Sequence, residues 1–100
     1  MRYGLKEEVV DAICNVLQDH PEVEVAILYG SRAKGNFKPA SDIDLTLQGE
    51  MLNSTILNEI SWELDDLLLP VTFDLSILSQ ISNPDLVDHI KRVGVLFYQR

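Results

Sequence analysis

Two short apolar runs, Val23–Tyr29 and Ile43–Leu47, are joined by a polar segment that opens with Gly30-Ser31 and closes with Ser41-Asp42. No other feature constrains the fold of this chain as strongly. Each run has the length of a strand and is bounded by turn residues. With Asp42–Gln48 as a strand, side chains alternate between its faces. Asp42, Asp44 and Thr46 share one face, and Ile43, Leu45 and Leu47 share the other. The sheet is thus committed to one core face and one face carrying two carboxylates, with no basic residue between them. Two anions that close raise one pKa unless a positive charge intervenes. A hard divalent cation such as Mg²⁺ meets that need, because it prefers carboxylate oxygens and brings substrate phosphates with it. Two such ions about 3.5–4 Å apart clamp an in-line displacement at phosphorus.

The front of the segment suits the same ligand. Gly30 is free to take backbone angles closed to other residues and to let a ligand approach the main chain. Ser31 offers a hydroxyl and stands where an N-cap would start a short helix through Arg32, Ala33 and Lys34. Helix N-termini attract anions. Arg32 and Lys34 either contact phosphates or face solvent. Each half of the pattern has a bland alternative: an ordinary turn for Gly-Ser, a solvated strand edge for Asp-x-Asp. The joint pattern, with each part at a strand end, is far more specific.

A third carboxylate joins them. Val71–Leu78 alternates like a half-buried strand, with Val71, Phe73, Leu75 and Ile77 on one face and Thr72, Asp74 and Ser76 on the other. Asp74 therefore projects from a polar strand face, as either a site residue or a plain surface residue. Asp65 and Asp66 are weaker candidates, because they fall in a helical pattern.

The rest of the chain alternates helix and strand. Leu5, Val9, Val10, Ile13, Val16 and Leu17 have helical spacing, and that helix ends near Gln18. Ser54 is read as the cap of a helix with apolar positions Leu57, Ile60, Leu64, Leu67 and Leu68, stopped by Pro70. Asn83 and Pro84 read as N-cap and first turn of a last helix running to about Arg92. Gly94 ends it, and Val95–Tyr98 is a fourth strand or a helical tail. The expected fold is α+β: a single domain over residues 1–100, with a small mixed sheet and helices on one face.

Composition narrows the function. The 16 acidic and 8 basic residues give a formal charge of −8, which disfavours direct nucleic-acid binding. No apolar run approaches the roughly 20 residues needed to span a bilayer. The start of the chain lacks the apolar core of a signal peptide. Cys14, the one cysteine, excludes an intramolecular disulfide and reads as a small core residue. These points suit a cytoplasmic protein. His20 and His89 have no partners at metal-ligand spacing and are read as surface residues without a role. Leu67-Leu68-Leu69, Phe97-Tyr98 and Trp62 are core or docking candidates.

The stretch GSRAKGNFKPASDIDL, read as Gly-Ser, ten residues, Asp-x-Asp, together with a later strand Asp, resembles the DNA polymerase β-type nucleotidyltransferase superfamily. The short length points to its minimal nucleotidyltransferase (MNT) branch. The resemblance spans nearly the whole chain, with no departure at the motif positions. It implies a polymerase β-like fold in which Gly30, Ser31, Arg32 and Lys34 hold the nucleotide. It implies that Asp42, Asp44 and Asp74 bind two Mg²⁺ ions, with Asp74 helping to deprotonate the attacking hydroxyl. By the same resemblance ATP is the substrate, and AMP passes to an acceptor with release of pyrophosphate. MNT proteins commonly pair as antitoxins with a HEPN-domain toxin, and some adenylylate a tyrosine of that partner. A chain this short has no acceptor-binding domain of its own, so the acceptor is expected on another subunit, in a homo- or hetero-oligomer. The alternatives are an antitoxin that masks its partner by contact alone, a transferase for a small molecule, and a structural domain without activity.

Overall fold

The structure, a computed structural model, describes residues 1–100. Its elements are α1 (Glu7–Gln18), β1 (Val25–Tyr29), α2 (Ser31–Lys34), β2 (Ile43–Gln48), α3 (Ser54–Asp65), β3 (Phe73–Ile77), a 3-10 turn (Leu78–Gln80), α4 (Pro84–Val93) and β4 (Val95–Gln99). The fourth strand is present, so the helical-tail alternative falls.

The four strands form one mixed sheet in the order β3-β2-β1-β4. β1 runs antiparallel to both β2 and β4, and β2 runs parallel to β3. A parallel neighbour requires a crossover, and α3 supplies it between β2 and β3. The pairing register is informative. Tyr29 lies opposite Asp44, and Asp44 lies opposite Asp74. Facing is a property of register, so these three residues share one face of three adjacent strands.

The opposite face is the core. Ile43, Leu45 and Leu47 of β2 and Ala26 and Leu28 of β1 are fully buried against Ile13 and Leu17 of α1 and Ile60 and Leu64 of α3. The helical spacing of these positions put them on one stripe of each helix. α3 begins at the expected cap itself, Ser54. Asn53, not Ser54, is the N-cap, and its Oδ1 accepts from the Ile56 N–H at 2.9 Å. α3 also stops at Asp65, short of Leu68, which turns out at φ 55° and is 86% exposed. Leu67 and Leu69 turn back onto the core, as do Phe97 and Tyr98. Trp62 is 70% exposed. His20 is not a plain surface residue: its imidazole pairs with the Glu63 carboxylate of α3.

α4 lies on the other face from α1 and α3, which the expectation of helices on one face did not anticipate. Ile27 alternates with the core residues Ala26 and Leu28, so it points away from them. A Cβ at Gly94 would sit 2.8 Å from Ile27 Cγ2 and 2.4 Å from the Ile90 carbonyl oxygen. Gly94 has extended angles (φ −63°, ψ 142°). It is thus required by close packing of α4 on β1 rather than by a left-handed helix end. Asn83 caps α4, accepting from the Asp85 and Leu86 N–H groups. α4 covers only part of this face, and the carboxylate end stays open.

Candidate active site

β1 delivers Tyr29 to the end of the sheet, and the chain then turns at Gly30. Gly30 takes φ 75°, ψ −155°, in the region that favours glycine. It, and not Ser31, is the N-cap of the single-turn α2; Ser31 is the first helical residue. The main chain at Gly30 abuts a carboxylate directly. A Cβ there would lie 2.2 Å from Asp44 Oδ2. The Gly-Ser turn and the Asp-x-Asp strand, separated by ten residues in sequence, therefore meet at one point. Gly30→Ala is expected to displace the Asp44 side chain and strain the turn together, costing about 1–3 kcal/mol. Urea unfolding checks this, and an unchanged midpoint would contradict the close approach.

Around Asp44 the charges are one-sided. Burial, then Asp74, then Asp42 push the Asp44 carboxyl above its ordinary value, and His89 pulls it back. Asp42 and Asp74 are exposed and Asp44 is half-buried. The Asp42 carboxylate accepts from the Thr72 hydroxyl on the β3 side. Below the acids, Ser76 Oγ donates to the buried Thr46 Oγ1 at 2.9 Å. Tyr29, 6% exposed, has its phenol raised by burial, then by Asp74, while a hydrogen bond with Ser76 acts the other way. Three carboxylates thus converge electrostatically with no lysine or arginine among them.

This donor set fits a hard cation. It is all oxygen, partly solvated, and held at a raised electrostatic cost that a divalent ion would remove. It is not a closed cage, since no three acidic, histidine or cysteine side chains already stand at ligand distances. An open set of that kind leaves positions for substrate oxygens and water. The principal concavities of the surface lie elsewhere, and none is lined by Asp42, Asp44 or Asp74. The acids occupy an open sheet face rather than a pocket.

Arg32 corrects an expectation. It neither faces solvent nor is available to phosphate. It is 2% exposed. Its Nε donates to the Ser41 carbonyl at 3.0 Å, Nη1 to the Tyr3 carbonyl at 2.9 Å and Nη2 to the Pro39 carbonyl at 3.0 Å. The Phe37 ring lies beneath it, 5.3 Å from the guanidinium carbon. Arg32 therefore fastens the loop that leads into Asp42 and ties it to the N-terminal turn. Lys34 is exposed and forms no ion pair.

Tyr29, in sequence the end of an apolar run, and His89, in sequence a surface residue, also come together at this face. Their rings meet edge-on, with centroids 6.2 Å apart and planes at 80°. The available signal was position: Tyr29 immediately precedes Gly30, and any residue at that strand end must neighbour the turn. No helix is long and apolar enough to cross a membrane.

Residues 11–100 match the family described as "Polymerase beta, Nucleotidyltransferase". No curated protein matches the chain significantly. A toxin–antitoxin crystal structure with AMP-PNP is similar over 91% of this chain and 73% of that one, at 22% identity and a TM-score of 0.74. A tri-AMPylated Shewanella oneidensis HEPN toxin in complex with MNT antitoxin is similar over 96% and 74%, at 19% identity and a TM-score of 0.71. The MntA–HepT toxin–antitoxin is similar over 95% and 74%, at 20% identity and a TM-score of 0.70. At these identities the likeness is one of fold.

Proposed function

The chain belongs to the polymerase beta nucleotidyltransferase family, and from that membership we propose that it transfers AMP from ATP to a hydroxyl, a tyrosine hydroxyl, of a HEPN-type toxin, and so acts as its antitoxin. One observation carries the reading: Gly30 abuts Asp44 on an open sheet face where Asp42 and Asp74 gather with no cation of their own. The similarity to an MNT antitoxin bound to a tri-AMPylated HEPN toxin supports the choice of donor and partner. A cytoplasmic setting is part of the same proposal.

Asp42, Asp44 and Asp74 would hold the magnesium. When bound, it supplies charge neutralisation for the triphosphate and lowers the pKa of the attacking hydroxyl. The chain's own residues do the rest. Gly30, lacking a Cβ, lets the phosphates lie against the main chain. The Ser31 hydroxyl would donate to a phosphate oxygen, and the exposed Lys34 ammonium would add attraction. In the transfer, a bond forms between the acceptor oxygen and the α-phosphorus. The bond from that phosphorus to the bridging oxygen breaks, and pyrophosphate leaves. The acceptor's proton passes to Asp74, an exposed carboxylate on the edge strand β3. The open face lets a protein surface deliver its hydroxyl to the acids, which a closed pocket would not.

The test is incubation of the protein with ATP, Mg²⁺ and a HEPN-domain toxin, followed by intact mass measurement. One or more AMP adducts are expected on the toxin. Neutralisation of the toxin with no adduct, by wild type and by an Asp42/Asp44 double mutant alike, would replace transfer with simple masking.

A further inference from the structure

His89 lies far from the Gly30–Asp44 segment in sequence, on α4. The fold nevertheless brings its half-buried imidazole against Tyr29. Tyr29 ends β1, is almost fully buried, and is the cross-strand partner of Asp44. His89 therefore stands on the wall of the acidic face, on the side formed by α4. Arg32 is committed to three backbone carbonyls. Among the groups that act on Asp44, His89 is the basic one. A triphosphate carries more negative charge than a carboxylate-bound metal cancels, and its remaining oxygens need donors. The wall beside Tyr29 supplies one such donor, because even a neutral imidazole keeps one ring N–H.

We propose that the His89 imidazole is a further residue of the nucleotide site, donating its ring N–H to a phosphate oxygen of a nucleoside triphosphate held beside Asp44 and Asp74. The inference rests on the nucleotidyl-transfer reading of that face. It requires no change in protonation. It also gives α4 a purpose beyond packing: the helix that crosses β1 at Gly94 places a donor at the open end of the sheet.

The experiment separates donor from packing. Binding of AMP-PNP with Mg²⁺ is measured calorimetrically for wild type, His89→Phe, His89→Gln and Asp44→Asn. Phenylalanine keeps an aromatic ring against Tyr29 and removes the N–H. Glutamine keeps a donor and removes the ring. The expected result is a weakening of about five- to tenfold for His89→Phe and under about threefold for His89→Gln. In steady-state transfer, the KM for ATP should rise in His89→Phe by more than kcat falls. Wild-type affinity in His89→Phe would overturn the proposal, and so would an equal loss in both variants, which would mark a packing role. Loss of binding in Asp44→Asn alone would overturn the role of His89 and leave the transfer reading standing. Failure of the wild type to bind would sink both.

Discussion

Asp44→Asn is expected to abolish AMP transfer while leaving the fold intact. The carboxylate sits at the meeting point of the Gly30 turn and the acidic face. An amide there loses the negative charge but keeps the shape. Metal stabilisation of a transition state is worth several kcal/mol, so transfer should fall by about a thousandfold or more. The same substitution makes a second, less obvious prediction about stability. Burial, then Asp74, then Asp42 raise the Asp44 carboxyl in the folded chain above its ordinary value of 3.8. A raised folded-state pKa means that the protonated form is the one the fold favours. The contribution to stability is therefore fully present below 3.8 and is lost as pH rises through the raised folded value. The uncharged variant escapes that loss. In buffer with a chelator, Asp44→Asn should melt at or above the wild-type temperature at neutral pH. The advantage should close as the pH falls to the ordinary carboxylate range. Added Mg²⁺ should raise the melting temperature of the wild type and leave the variant where it was. Thermal melts across that pH range check both signs. A variant melting well below wild type at neutral pH, or one retaining full transfer, would remove Asp44 from the centre of the site.

Arg32→Ala should give the largest loss of stability among single changes near the site. Three backbone carbonyls, of Tyr3, Pro39 and Ser41, share one buried guanidinium. Burial also lowers the pKa of that guanidinium, a sign of its desolvation. Each acceptor left without a partner costs about 1–3 kcal/mol. A total loss of about 3–5 kcal/mol is a large part of the stability of a domain this size. For a chain of this length each kcal/mol moves the melting temperature by roughly 4–8 °C. Arg32→Lys should recover only part of the loss, because one ammonium does not span a planar fork of acceptors. Function should suffer beyond stability. The Ser41 carbonyl adjoins Asp42, so loosening it frees the strand entry that carries the first acid. Transfer measured well below the melting point of Arg32→Lys should therefore be reduced. Denaturant curves and transfer rates on the same samples check this. Wild-type stability in Arg32→Ala would show that the loop is held by other means.

Much of the site was written into local pattern. Alternation along Asp42–Gln48 and Val71–Leu78 placed Asp42, Asp44 and Asp74 on polar strand faces. Gly30 stood at the turn where the first strand ends against a polar segment. The helical stripes of α1 and α3 named the helix side of the core. Errors fell where local signals compete. Asn53 and Ser54 are both good caps, and the side chain that reached the Ile56 N–H could not be told from spacing. Gly94 looked like a helix terminator but is dictated by its distance from Ile27.

The sequence by itself determined which residues share a face, because side-chain direction along a strand or helix follows from backbone periodicity alone. It also determined the element order and the resemblance that names the chemistry. Only the tertiary structure decided which faces meet. The order β3-β2-β1-β4 sets Asp74 beside Asp44 and Tyr29 opposite it. The crossing of α4 brings His89 against Tyr29. The carbonyls that capture Arg32 come partly from Tyr3, 29 residues away near the N-terminus. Strand order and the burial of a charge both depend on contacts between segments distant in sequence, and no local period encodes those.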